Sequence, residues 1–294
     1  MMSVWILKLG IIMVSFLFTL QVVGKQDPVE AAKPGKALSA DKVEIVYLAR
    51  GKGETAVIFI HGGFANKSFW RNQMKPFSAK YRVIAVDLAG HGESGQNRKK
   101  WDMSNFAEDV RAVIEKENIR KTVLVGNSLG GAVALETARL VPDKVLGIVA
   151  VDTFQLFIMP PPAYIQQQAR ALAEDFTGTM RKMVRSLLHK DVDPKLYAEV
   201  EKKMLNNSSQ MAVAIIESLA TYDLAEAAKK VPQPIRCICG DLIVSPQVEK
   251  NREIHPDYDA VVIPHTGHYP MLEKPELFNQ HLEKILLEIT TEKK

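Results

Sequence analysis

Cysteine is nearly absent: the 294-residue chain has two, Cys237 and Cys239. That excludes a disulfide-stapled scaffold and a cysteine-rich zinc module. The two stand two residues apart in one apparent strand. They share a face there, but an extended backbone spaces them badly for a bridge. They read as buried thiols, nothing nearby in sequence completes a zinc site, and neither a metal nor a cofactor is expected. An excess of charge of one sign is missing too. The net charge is +4, spread along the chain. The densest basic run, Arg98-Lys99-Lys100, is too short to argue for nucleic acid and reads as a solvated loop. The composition, 47% hydrophobic and 24% charged, is that of a globular protein long enough for a full core, as one large domain or two small ones.

One apolar run stands apart. Leu9 to Gly24 carries no charge, Lys8 precedes it, and Val22 and Gly24 sit at the −3 and −1 positions of a cut. This is the pattern of a secretory signal peptide over residues 1–24. It predicts an exported protein, periplasmic or secreted. The alternative is an uncleaved membrane anchor, since Val4 to Leu7 could extend the run towards spanning length. Residues 25–40 read as a flexible spacer. No cysteine follows the run, so a lipid-modified N-terminus is not expected.

From there, short β-rich runs alternate with helical patterns, the signature of a parallel sheet covered on both faces. Expected strands are 43–48, 56–60, 82–86, 122–125, 145–151, 235–239 and 260–263. Helical patterns occur near 68–77, 104–117, 129–140, 247–254 and 275–289. Residues 154–230 differ in kind. They begin with Pro160-Pro161-Pro162, carry little strand signal, and read as a helical cap inserted over the sheet's carboxyl edge. Its apolar positions include Met159, Met180, Met183, Leu187, Met204, Met211 and Ile215. Such residues can serve core and pocket together, because the underside of a cap faces the site. The expected division is therefore a core of 41–153 and 231–294, with the cap between.

The most informative stretch is Gly126-Asn127-Ser128-Leu129-Gly130, directly after Lys121-Thr122-Val123-Leu124-Val125. It reads as a buried strand turning sharply into a helix with a serine at the apex. A serine hydroxyl is a poor nucleophile unless it stands clear of its own backbone and faces a base. The flanking glycines let strand and helix approach that closely. The Leu129 N–H, at the helix start, would point at a developing oxyanion. The glycine pair in His61-Gly62-Gly63-Phe64, at another strand end, offers a second donor, Gly63, with Phe64 in reserve.

Seven histidines are candidates for the base. His268, in the loop between the last strand and the final helix, is the expected one. His265 falls at the strand end and reads as a supporting residue. His91, in Asp87 to Ser94, sits in an architectural turn, and His61 reads as holding its own loop. For the acid, Asp241 follows Gly240 at the end of strand 235–239 and fits the chain order Ser, Asp, His. Asp152, ending strand 145–151, is the alternative. Either could instead be a turn or cap residue.

Together, His61 to Phe64, Asp87 to Ser94, Gly126 to Gly130, Gly240-Asp241, and Gly267 to Pro270 with Glu273-Lys274-Pro275 resemble an α/β-hydrolase. The resemblance is to the capped subgroup of carboxylesterases, lactonases and C–C bond hydrolases, and covers about 43–289. It implies a mostly parallel, eight-stranded sheet flanked by helices, with the cap inserted after strand 6. Only seven strands are legible, and an antiparallel first strand is expected near 38–45. One departure matters: many relatives carry the acid three residues after the strand-ending glycine, where this chain has Ile243. Asp241 would need a shortened loop, which keeps Asp152 open.

The resulting expectation is a serine hydrolase acting on a small, partly apolar ester-type substrate through an acyl-enzyme. A C–C bond hydrolase of the same fold and a non-catalytic ligand-binding or sensor member are the alternatives. A small-molecule substrate is the expected partner, with no nucleic acid, with a membrane only if the leader stays attached, and with a monomer or weak dimer as the default.

Overall fold

A computed structural model describes residues 31–291; the leader pattern lies outside them. Eight strands form one sheet: β1 Lys33–Leu38, β2 Glu44–Arg50, β3 Thr55–Ile60, β4 Arg82–Val86, β5 Lys121–Asn127, β6 Val145–Val151, β7 Ile235–Gly240 and β8 Tyr258–Ile263. Their order is β1-β2-β4-β3-β5-β6-β7-β8, with β2 antiparallel to both of its neighbours, β1 and β4, and every other pair parallel. The central runs are apolar at nearly every position because both faces are covered; in β3, Val57 to Ile60 are fully buried.

After a short 3-10 turn at Lys67–Trp70, the helices α1 Arg71–Phe77, α2 Met103–Lys116 and α3 Leu129–Leu140 fill the first crossovers. Five more follow between β6 and β7: α4 Pro162–Glu174, α5 Phe176–Leu187, α6 Pro194–Leu205, α7 Ser209–Leu219 and α8 Leu224–Lys229. They are the helical cap. Asp175 caps α5 by accepting from the Gly178 N–H, and Asp193 caps α6 ahead of Pro194 at its first position. The chain then adds α9 Val248–Arg252, α10 Pro270–Glu273 and α11 Pro275–Thr291. Helices α2 and α3 pack together on one face of the sheet, α1 and α11 on the other. Among the described residues no helix is long and apolar enough to cross a membrane.

Two expectations are corrected here. The missing strand lies at Lys33–Leu38, inside the stretch read as spacer, and pairs antiparallel with β2 from Lys33↔Ala49 to Leu38↔Glu44. Arg98 is not part of a solvated loop. Its guanidinium is fully buried and grips both oxygens of Asp109 at 3.0 and 2.6 Å, and both oxygens of Asp41 at 2.8 and 3.1 Å. Asp109 also accepts from the Ser39 hydroxyl (2.7 Å) and the Ala89 N–H (3.0 Å). This cluster ties the β1–β2 turn to α2 and to the loop after β4. A bidentate pair out of water is held by geometry that solvent cannot replace. Asp109→Ala, which leaves the buried guanidinium only Asp41 as a carboxylate partner, should cost about 1–3 kcal/mol of unfolding free energy in urea titrations. A loss under about 0.5 kcal/mol, the size of an ordinary surface change, would mean that the pair is solvated after all.

Candidate active site

The carboxyl ends of the parallel strands bring the site together. β5 runs into Ser128, which holds φ +52° and ψ −120° and precedes α3 directly. That left-handed conformation is strained for a side chain, at a cost of order 1–3 kcal/mol. It stands because its surroundings leave no other path. The Ser128 N–H donates to Val151 O at 3.1 Å and the Ser128 carbonyl accepts from Gly131 at 2.9 Å. A Cβ at Gly126 would run into the Gly130 carbonyl, and one at Gly130 would lie 2.5 Å from Ile60 O. Strand, turn and helix therefore touch backbone to backbone.

Gly63 and Leu129 face each other across this turn: a Cβ at Gly63 would meet the Leu129 Cβ at 4.0 Å. Among the described residues neither N–H has an acceptor, and both residues line the same cavity as Ser128. The reserve donor falls away. The Phe64 N–H is already given to His91 Nε2 at 3.1 Å.

His61 and His91 act on the loops instead. His61 Nδ1 donates to Gly62 O (2.7 Å) while its Nε2 accepts from the Leu88 N–H (3.0 Å). His91 repeats this, donating to Ala89 O (2.9 Å) and accepting from Phe64. Each ring needs one bare nitrogen, so both must be neutral. Burial holds His61 down to about 4, and burial with the neighbouring His61 ring holds His91 down to about 3.

His268, like Ser128, lines one cavity of about 730 Å³. Its Nδ1 is 2.6 Å from Asp152 Oδ2. A carboxylate can only accept, so Nδ1 carries the proton and Nε2 presents its lone pair. Asp152 is buried and also strained, at φ +45°. Its other oxygen accepts from the Gly240 N–H (2.9 Å) and the Gln155 amide (3.0 Å). The structure thus pairs His268 with Asp152 and not with Asp241, correcting the preferred acid. Asp241 is exposed and turned away, accepting from the Thr266 N–H at 3.1 Å. Backbone hydrogen bonds from His265 and Thr266 shape the turn leading to His268 and hold the Asp241 carboxyl below its usual range. His265 is exposed at the strand end.

Two positioning residues were not singled out from sequence. The Asn127 amide donates to Val151 O and to His268 O, both at 3.0 Å, joining β5, β6 and the histidine loop. The Glu273 carboxylate accepts from the N–H groups of Gly267 (3.0 Å), Tyr269 (3.2 Å) and His189 (3.1 Å). The His268 N–H itself donates to Leu187 O on the cap at 2.7 Å. Both residues stood inside motifs quoted above, but neither motif says which way a side chain turns.

Of the cap's apolar residues, Met159, Met183, Leu187, Met204 and Ile215 line the cavity, while Met180 and Met211 pack in the core. Lys182 is the one permanently charged side chain among the described lining residues, and no carboxylate joins it. Among the described residues no group of three or more His, Cys, Asp or Glu side chains could hold a metal. Cys237 and Cys239 are buried and unbridged.

An elbow serine, a carboxylate-held histidine and a capped parallel sheet mark the hydrolase class of α/β enzymes. The chain belongs to the alpha/beta hydrolase family, whose sequence model matches residues 57–281. It is 27% identical over 280 residues to 2-hydroxy-6-oxo-6-(2'-aminophenyl)hexa-2,4-dienoic acid hydrolase of Metapseudomonas resinovorans, covering 85% of this chain and 89% of that protein. It is 26% identical over 255 residues to pimeloyl-(acyl-carrier protein) methyl ester esterase of Aliivibrio fischeri, covering 82% and 97%. The solved structure of a thermophilic esterase from Thermogutta terrifontis shares the fold, with a TM-score of 0.78 at 23% identity over 88% of this chain and 100% of that one.

The neutral histidine pair sets a pH dependence. Unfolded, both rings bind a proton near pH 6.5; folded, they resist it to about 4 and about 3. Their contribution is intact above pH 6.5 and is lost as pH falls through that window, by up to about 1.4 kcal/mol per pH unit for each ring. Urea titrations between pH 7 and 4 should show this slope, and His91→Gln should reduce it. An unchanged slope in that variant would mean that His91 is not kept neutral.

Proposed function

We propose that this enzyme hydrolyses small, partly apolar carboxylic esters through an acyl-enzyme. The observation that carries the reading is the Asp152–His268 hydrogen bond, on the wall of a cavity shared with Ser128. In this reading Ser128 attacks the carbonyl while His268 Nε2 takes its proton, and Asp152 supports the imidazolium through Nδ1. The N–H groups of Gly63 and Leu129 hold the oxyanion. His268 then protonates the departing alcohol and draws a proton from water, which releases the acid. The apolar cavity favours an acyl or alkyl group without charge near the scissile bond.

A second reading, cleavage of a C–C bond, is supported by the name of the Metapseudomonas relative. Assaying a ring-fission diketone beside p-nitrophenyl esters separates the two by kcat/KM.

Ser128→Ala should abolish ester turnover in a folded protein, and a fluorophosphonate should label Ser128. Asp152→Asn should lower kcat by about 10⁴-fold, as loss of the orienting carboxylate does elsewhere. Asp241→Asn should change it by less than threefold, roughly 0.6 kcal/mol in the barrier. Equal losses in both aspartate variants would overturn the assignment of the acid.

The leader pattern supports export of this enzyme. N-terminal sequencing of protein from an extracytoplasmic fraction should begin at Lys25. A Met1 start in the cytoplasm would refute export.

A further inference from the structure

Nine large hydrophobic side chains among the described residues are exposed, and five of them fall on two segments beside the cavity. Ile158 (57%) and Tyr164 (53%) precede and begin the cap; Leu242 (39%), Ile243 (50%) and Val244 (50%) follow β7. The other four, Leu38, Leu140, Val262 and Leu287, lie singly on β1, α3, β8 and α11. The Gln247 N–H donates to Gln155 O at 2.8 Å, which joins the two segments. Tyr164, with Met159 and Pro160, lines the cavity itself. Leu242 shares a surface hollow with Arg185 and Lys190, and Ser186 borders both that hollow and the cavity. The hollow beside Leu242 and the cavity therefore meet at Ser186.

Charge follows the same surface. Helix α5 carries Arg181, Lys182 and Arg185 and no acid between Phe176 and Leu187. Glu201 stands 3.9 Å from Arg181, Asp191 beside His189, and Asp241 is engaged with Thr266. Lys182, Arg185 and Lys190 have no ion-pair partner among the described residues; Arg185 rests on the Tyr197 ring.

We propose that this face docks on an anionic phospholipid surface, with Leu242, Ile243 and Val244 entering the acyl boundary and Lys182, Arg185 and Lys190 meeting phosphates. Leu242 to Val244 lie outside helix and strand, and all three side chains are exposed. A rigid protein partner would need a pocket for each, whereas fluid hydrocarbon takes all three. Interfacial binding draws on this pairing of buried apolar area with attraction to anionic lipid. It also sets an apolar cavity against the phase in which apolar esters dissolve. The proposal extends the hydrolase reading but does not depend on turnover.

The test uses the full chain with an environment-sensitive fluorophore on Val244→Cys; Cys237 and Cys239 are buried and stay unlabelled. The same label on Leu287→Cys is the control. Vesicles of phosphatidylglycerol and phosphatidylethanolamine should blue-shift and at least double the emission at position 244 and leave position 287 unchanged. Adding Lys182→Gln and Arg185→Gln to the labelled protein should weaken partitioning about tenfold or more, at about 1 kcal/mol per cation. Because the probe reports contact by that loop, an attached N-terminal segment does not produce the signal. No change at 244, an equal change at 287, or partitioning indifferent to the two cations would each overturn the proposal. Ester hydrolysis measured on the same samples in detergent-free buffer keeps a failure of docking separate from a failure of the enzymatic reading.

Discussion

The site depends on how closely β5, the turn at Ser128 and α3 approach one another and β3. Gly126 and Gly130 leave no room for a Cβ, so the backbone at Ser128 has nowhere to relax. The cost of its left-handed φ is offset by packing of the surrounding sheet, in which Val123, Val125, Ile148 and Val149 are fully buried. This constraint lifts the hydroxyl out of the sheet and opens α3 beneath it. It also sets the Leu129 N–H opposite Gly63. A looser junction would give a turn of similar sequence with none of that aim.

The second strained residue does matching work one strand away. Asp152 leaves β6 with a positive φ, and each of its carboxylate oxygens is engaged. A buried carboxylate with both oxygens hydrogen-bonded is fixed in direction, and its direction selects the tautomer of His268. Nearby, the paired rings of His61 and His91 do the opposite job. They stay neutral and spend both nitrogens on loop backbone, which leaves the Gly63 N–H clear while fixing that of Phe64.

Much of this was legible in the residues, and the failures have physical reasons. The elbow, the histidine loop and the helical insertion announce themselves because glycine spacing and apolar period are local properties. β1 was hidden because Lys-Pro-Gly-Lys-Ala-Leu is an edge strand: only Ala37 is buried, and lysine and proline blunt the open edge. Arg98 was misread since a run of basic residues does not disclose that one of them turns inward to Asp109. The carboxylate that pairs with His268 was not legible because chain order favours Asp241, while the backbone twist that aims Asp152 has no sequence signature. Asn127 and Glu273 act through side-chain direction, which a motif leaves open.

One hydrogen bond carries a consequence for how the cap and the base behave together. The His268 peptide nitrogen is tethered to Leu187 at the end of α5, and Gly267 lies against the same residue and His189. Lifting that end of the insertion strips the tether and leaves the His268 segment to Asp152 at the ring, Asn127 at the carbonyl and Glu273 at the flanking N–H groups. The roof over the cavity and the placement of the His268 ring are therefore mechanically linked, so that a change at the end of α5 is felt at residue 268.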